Sequence, residues 1–247
     1  MKQLIRYTIL LGICALLAAC GGSKVKPQDD AQKYFQQGER YFEGQLYDDA
    51  IASWEKARDT FYSPELNMLA ELKIAEAYFV SKRYAEAASA YKDFLTQHPN
   101  DPREGSIMFR LGLSYYYQIL SADRDQTFTE NALQTLQQFV ARYPDHARAQ
   151  EAKNLILRCQ TRLADHEVYV GRFYLKKEQF KPAIHRLEKV LQDYPDYYYR
   201  DEAYFYLLKA YLESGQAEKA QPLLDKLVKE YPSSEMTEDA RELMADH

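Results

Sequence analysis

Asp165-His166-Glu167 is the one place in this sequence where a histidine stands between two carboxylates. Such a trio could relay a proton or hold a metal ion if the three side chains converged. The surrounding residues read as helix, and neighbours on a helix point about 100° apart, so convergence is not expected. The other histidines, at 98, 146, 185 and 247, keep no metal-ligand spacing. No HExxH, GxSxG or phosphate-cradling glycine loop occurs. Cys159 reads as a small buried side chain rather than a nucleophile. These absences argue against an enzyme and against a bound cofactor.

The chemistry that the sequence does support lies near its start. Lys2 and Arg6 precede an apolar stretch, Tyr7 to Ala19, that is too short to span a bilayer. It ends in Leu17-Ala18-Ala19-Cys20, followed by Gly21-Gly22-Ser23. Small residues before the cysteine suit a signal peptidase, and the stretch resembles a bacterial lipobox. Residues 1–19 are expected to be a signal peptide. Cys20 would then carry thioether-linked diacylglycerol and an N-acyl chain. The alternative is a plain signal peptide with an incidental cysteine. Several acyl chains, at about 0.8 kcal/mol per buried methylene, would anchor the chain stably. Residues 20–30 read as the lipidated cysteine and a polar tether. Losing Lys2 and Arg6 takes the formal charge from −5 to −7, a poor balance for binding nucleic acid. Cys159 would then be the only thiol left, so no internal disulfide is expected.

Beyond the tether, nine glycines and nine prolines in 247 residues, with abundant Ala, Leu, Glu, Lys and Gln, read as nearly all helix. The helices repeat. Ala87, Ala132, Ala183 and Ala220 each stand twelve residues before a proline, at 99, 144, 195 and 232. Ala50 opens the series. Small–aromatic pairs three apart precede them: Gly38/Tyr41, Ala75/Tyr78, Gly112/Tyr115 and Gly171/Tyr174, with Leu208/Tyr211 as a fifth. A small residue lets two helices approach, the aromatic fills the adjoining hole, and the proline stops the second helix. This is the tetratricopeptide pattern. It predicts an all-α, right-handed superhelical solenoid of five helix-turn-helix repeats with a C-terminal capping helix over 234–245.

Two insertions break the spacing. Gln118–Thr127, QILSADRDQT, adds a loop in repeat three, where Asp125 or Thr127 could cap the next helix. The excess before Gly171 predicts one long helix over 147–177. Pro182 sits harmlessly near a helix start, and Pro222 is expected to kink the last repeat's second helix. The tyrosine-rich run Tyr194 to Tyr211 is read mainly as core, with Tyr197 to Tyr199 exposed at a turn. Stacked repeats present a concave surface. The positions expected to line it are Phe35, Glu39, Phe42, Leu72, Glu76, Phe79, Phe109 and Tyr116, an apolar groove for an extended peptide.

The lipobox, the tether, the five repeats and Asp123-Arg124-Asp125 in repeat three resemble the BamD (ComL-like) family of outer-membrane assembly lipoproteins. The stretch from Leu163-Ala164 to Tyr194-Pro195-Asp196 is also close to the family pattern. The resemblance implies a lipid-anchored protein on the periplasmic face of the outer membrane. It implies that repeats 4–5 and the cap, 147–247, bind a BamA-like POTRA β-barrel protein. Repeats 1–3, 31–146, would engage the C-terminal, aromatic-ended signal of unfolded outer-membrane proteins. Arg186 matches an arginine presented to the POTRA partner, and Arg124, Asp123 and Asp125 would belong to the same contact region. Accessory lipoproteins of the machinery are further possible partners. Gly21 in place of an inner-membrane retention aspartate agrees with outer-membrane delivery. The chain departs from the family pattern in lacking repeat one's proline and in having Gln126 where proline is common. A pilotin-like lipoprotein for secretin assembly and a general periplasmic holdase remain alternative readings of the same architecture.

Overall fold

The computed structural model describes residues 27–60 and 63–246. The expected signal peptide and the lipidation site Cys20 lie outside the described residues. Eleven α-helices occur among the described residues, without a strand. They are α1 (Pro27–Glu43), α2 (Tyr47–Asp59), α3 (Pro64–Val80), α4 (Tyr84–Gln97), α5 (Glu104–Tyr116) and α6 (Thr127–Arg142). Then follow α7 (Ala149–Lys176), α8 (Phe180–Asp193), α9 (Arg200–Glu213), α10 (Gln221–Glu230) and α11 (Glu235–Ala245). The chain forms two compact units, Met1–Ile74 and Ala75–His247. Pro27 already opens α1, so the last residues of the expected tether are helical. A proline costs little there, because the first helical N–H has no intrahelical partner.

The tetratricopeptide hairpins rest on one contact. A Cβ placed on Gly38 would lie 2.4 Å from Trp54 Nε1, one on Gly112 2.7 Å from Leu136, and one on Gly171 2.8 Å from Leu187. In each case the large residue stands four after the repeat alanine. Ala50, Ala132 and Ala183 are fully buried, as are Trp54, Leu136 and Leu187. The missing side chain on the first helix is the space that the large side chain of the second helix fills. In the fifth hairpin Leu208 takes the small residue's place and packs with Leu187, Ala220, Leu227 and Ala240.

The turn within a hairpin is equally constrained. Gln45, Lys82 and Glu178 have φ of 60°, 64° and 57°, and Gly215 has 75°. Each stands five residues before the repeat alanine. The next N–H donates back to the repeat tyrosine's carbonyl: Leu46 to Tyr41 at 2.8 Å, Arg83 to Tyr78 at 2.8 Å, Gln179 to Tyr174 at 2.9 Å and Gln216 to Tyr211 at 2.8 Å. This is the left-handed helix stop that satisfies orphan carbonyls. In these four repeats the tyrosine's backbone closes the turn that sets the alanine's register. Only one of the four turns uses glycine. At the hairpin's other end, the N–H groups of His98, Tyr143, Tyr194 and Tyr231 close α4, α6, α8 and α10. The prolines that follow keep those helices from continuing.

The long helix forms as α7, 28 residues, and the cap forms as α11, with Ser234 Oγ accepting from Met236 N–H at 3.2 Å. Pro222 does not kink its helix. It stands in the first turn of α10, and Ala217–Lys219 before it form a 3-10 turn. A proline has no N–H to give and its ring clashes with the carbonyl four residues back, so Pro222 is tolerated only in the first turn of α10, which begins at Gln221. Tyr197 is also not exposed. It is buried against Ala164, Val168 and Val190, while Tyr198 and Tyr199 beside it are exposed.

Gly112→Ala should destabilise the protein by about 1–3 kcal/mol through overpacking, and Leu136→Ala by about 2–5 kcal/mol through a cavity. In the double variant the glycine change should cost far less than it does alone, as a double-mutant cycle from urea unfolding will read. Lys82→Gly and Glu178→Gly should each raise stability by up to about 1 kcal/mol, since a left-handed non-glycine residue is strained. Lys153→Gly, exposed inside α7, should lower it by about 1 kcal/mol.

Candidate functional site

The expected groove positions fall in both units, and each unit is described by itself. In the first, Phe35 and Phe42 lean on the buried Trp54, with ring centroids 6.4 and 5.7 Å away. Leu72, on α3, is half-buried. Lys73 reaches Glu39 Oε2 at 2.8 Å and sits 5.8 Å from the Trp54 ring. Glu39 Oε1 is buried with no hydrogen-bond partner among the described residues.

In the second unit a concave site of about 560 Å³ is lined by Phe79, Phe109, Arg110, Leu113, Tyr117, His146 and Arg148 among others. Phe79 is half-buried. Phe109 lines the site although it is only 4% exposed, and it packs on Phe139 with ring centroids 5.5 Å apart. Buried residues recur along α5 from Gly105 to Ser114, while Ser106 stays exposed on the face that lines the site. Glu76 is engaged twice, by Tyr91 Oη–H at 2.7 Å and by Arg110 Nη2–H at 2.9 Å. Arg110 also lies 4.6 Å from the Phe79 ring centroid. Burial, then the Glu76 charge, raises the Tyr91 phenol's pKa well above its ordinary value. Tyr116 lines a neighbouring cavity instead. Tyr117, which the repeat pattern did not single out, is 51% exposed and stacks on Tyr84 with centroids 4.8 Å apart.

The Asp123-Arg124-Asp125 loop leads from α5 into α6, and all three residues are exposed. The loop is held from beneath. Gln126 is buried and its Nε2 donates to the carbonyls of Ser121 and Arg124, each at 2.9 Å. Its Oε1 accepts from Thr129 Oγ1–H at 2.8 Å. Proline could make none of these bonds. Thr127 N–H donates to Asp125 Oδ1 at 3.0 Å, so Asp125 supplies the helix-start acceptor, while Thr127 is already helical. The hydrogen bond from Thr127 holds the Asp125 carboxyl below its ordinary pKa, and that from Ser121 does the same for Asp123.

The trio on α7 diverges. Asp165 accepts from Tyr197 Oη–H at 2.8 Å, and His166 Nδ1 meets the Ala122 carbonyl at 2.6 Å, tying the loop to the long helix. Glu167 is buried and takes Arg186 at 2.8 Å and Lys189 at 2.6 Å. Arg186 therefore already has a carboxylate within the chain. It shares that carboxylate with Lys189, three residues on along α8. That spacing, which puts two cations on one helix face, was the available sequence signal. Both cations remain partly exposed, at 37% and 39%. The described structure does not bring Arg186 into contact with the Asp123–Asp125 loop side chains. Cys159 is buried, and burial pushes its thiol up to about 12.

The family model described as "YfiO: Outer membrane lipoprotein" matches residues 27–223. A relative from Caulobacter vibrioides, called outer membrane protein assembly factor BamD, is 27% identical over 95% of this chain and 79% of its own. The protein of the same description from Rickettsia prowazekii is 28% identical over 74% of this chain and 73% of its own. Among solved structures, the TPR2AB domain of yeast Sti1 in its pHSP90 complex matches at a TM-score of 0.43 and 14% identity, covering 87% of this chain and 84% of that one.

Burial alone would raise the Glu167 carboxyl, but the bonds from Lys189 and Arg186 outweigh it and hold its pKa below 4.5. A depressed folded-state carboxyl contributes stability above its unfolded pKa, lost as pH falls through the folded value. Glu167→Gln should therefore cost about 1–3 kcal/mol at neutral pH. It should also flatten the loss of stability below pH 4.5, as read from urea midpoints across acid and neutral pH.

Proposed function

This chain belongs to the YfiO family of outer membrane lipoproteins, and from that premise we propose that it is a non-enzymatic scaffold of the outer-membrane β-barrel assembly machinery. The family match over 27–223, with relatives called BamD assembly factors, is the observation that carries this reading. Lipid on Cys20 anchors the protein to the outer membrane, facing the periplasm. Repeats 1–3 take the aromatic-ended C-terminal signal of unfolded outer-membrane proteins. The half-buried Phe79 beside a site of about 560 Å³ supports this, since such a cavity accepts an apolar side chain. Repeats 4–5 hold the POTRA domain of a BamA-like partner, with Arg186 as the contact. The shared carboxylate makes that exchange physically reasonable. When Arg186 turns to a partner's carboxylate, Lys189 still neutralises the buried Glu167, so no buried charge is left alone.

Affinity purification of the tagged, lipidated chain in mild detergent tests the reading. A POTRA-bearing barrel protein should co-purify, and Arg186→Ala should weaken its recovery about tenfold or more, as for a lost charge-assisted contact. The variant should keep its unfolding midpoint within about 1 kcal/mol of wild type. Recovery of a secretin, or equal recovery with Arg186→Ala, would overturn the assignment.

A further inference from the structure

A cavity of about 500 Å³ lies between the end of α5 and the middle of α7, lined by Tyr116, Tyr117, Ile119, Arg158 and Arg162 among others. Its two cations are incompletely compensated. Arg158 is exposed and pairs with no carboxylate among the described residues; it donates to the Tyr116 phenol oxygen. Arg162 reaches Asp165 only at 4.0 Å, and that carboxylate already accepts the Tyr197 hydroxyl at 2.8 Å. The two arginines stand four apart on α7, so they share a face. Tyr116 accepts from Arg158 and keeps its own O–H to give. Other arginines of this unit are engaged: Arg110 by Glu76 at 2.9 Å, Arg148 by Glu151 at 2.7 Å and Arg172 by Glu202 at 2.7 Å. The rim of the cavity is apolar. Tyr117 is 51% exposed, Leu120, next to Ile119, is 42% exposed, and Leu157, one turn before Thr161 on α7, is 50% exposed. Two open guanidiniums and a phenol O–H thus sit inside an exposed apolar border.

We propose that this notch binds the phosphate of an anionic membrane lipid, with the lipid's first methylenes on Tyr117, Ile119, Leu120 and Leu157. The donors set the anion. One carboxylate fills one guanidinium fork with its two oxygens and leaves the second cation open. A phosphate is tetrahedral, so two guanidiniums and a hydroxyl can approach it from different sides. The border sets what the phosphate is attached to. A free phosphate gains nothing from exposed apolar side chains, whereas an acylated glycerol covers them. The overall charge sets the mode. At −5 the protein as a whole is repelled by an anionic surface, so the attraction is local, to one headgroup, and not that of a polybasic patch. The chain belongs to a family of outer membrane lipoproteins, so lipid headgroups are the anions near at hand. A headgroup held at α7 would fix the second unit against the bilayer, which a flexible polar tether does not do. The assignment holds whether or not a peptide or a POTRA domain binds elsewhere on the chain.

Native mass spectrometry of the full lipidated chain tests it. The chain is released from neutral-detergent micelles doped with equal amounts of phosphatidylglycerol, phosphatidylcholine and oleate. Phosphatidylglycerol has an uncompensated phosphate, phosphatidylcholine carries its own cation, and oleate puts a carboxylate on a similar chain. Wild type should retain phosphatidylglycerol about tenfold or more over either, since each basic residue facing an anionic headgroup is worth about fivefold. Arg158→Gln with Arg162→Gln should abolish that preference and leave the thermal midpoint unchanged. Lys153→Gln with Lys176→Gln, which removes two other exposed cations of α7, should keep the preference. Inorganic phosphate equimolar with the lipid should not displace it. No preference for phosphatidylglycerol, equal retention of oleate, or a preference that survives Arg158→Gln with Arg162→Gln would each overturn the proposal. So would equal loss in the lysine variant, which would mark a diffuse charge effect, or displacement by inorganic phosphate, which would mark a free-phosphate site.

Discussion

Each glycine at a hairpin crossing leaves a space that a large side chain of the paired helix fills. Gly38 admits Trp54, Gly112 admits Leu136 and Gly171 admits Leu187, each too close to tolerate a Cβ. The spacing of the helix pair follows from these contacts, and the position of everything carried on the pair follows from the spacing. The same crossing fixes the turn. The tyrosine three residues after the small residue gives its carbonyl to the turn's N–H in four of the repeats. Small residue, tyrosine and alanine are therefore parts of one rigid corner, which explains why they keep register where the intervening sequence does not.

Around that frame several half-buried and buried carboxylates are already engaged. Glu76 holds Arg110 and Tyr91, Glu167 holds Arg186 and Lys189, and Glu202 holds Arg172 at 2.7 Å. Two cations on one buried carboxylate leave a surplus positive charge at a partly exposed surface. That surplus is available to a partner without uncovering an unpaired buried group. Arg158 and Arg162 on α7 differ: Arg158 neighbours the Tyr116 phenol, and Arg162 reaches Asp165 only at 4.0 Å. Electrostatics thus separates structural arginines from available ones where composition cannot.

The insertion in repeat three shows how a departure from the family pattern is accommodated. Gln126 stands where proline is common and uses its amide to hold two loop carbonyls and a buried threonine. The exposed Asp123-Arg124-Asp125 segment is kept in shape by these bonds and by the His166 contact to Ala122. The histidine that seemed to offer chemistry serves as a tie between the loop and the long helix.

The sequence by itself determined the all-helical class, the hairpin register, the long helix α7 and the cap α11. These depend on local periodicity and on residues such as Gly112, whose missing side chain admits a crossing helix, and Pro144, which cannot continue one. Tertiary structure decided the rest. Phe109 lines the site but is almost wholly buried, because Phe139 of α6 packs against it, a contact that no single helix pattern contains. Tyr197 became buried because Asp165, thirty-two residues earlier, receives its hydroxyl. Pro222 fell in the first turn of α10, after the 3-10 turn at Ala217–Lys219, rather than deep in the helix. Whether Arg186 meets water, Glu167 or a partner depends on which helix lies opposite. Burial and ion pairing arise between elements distant in sequence, so spacing alone could name the residues but not their partners.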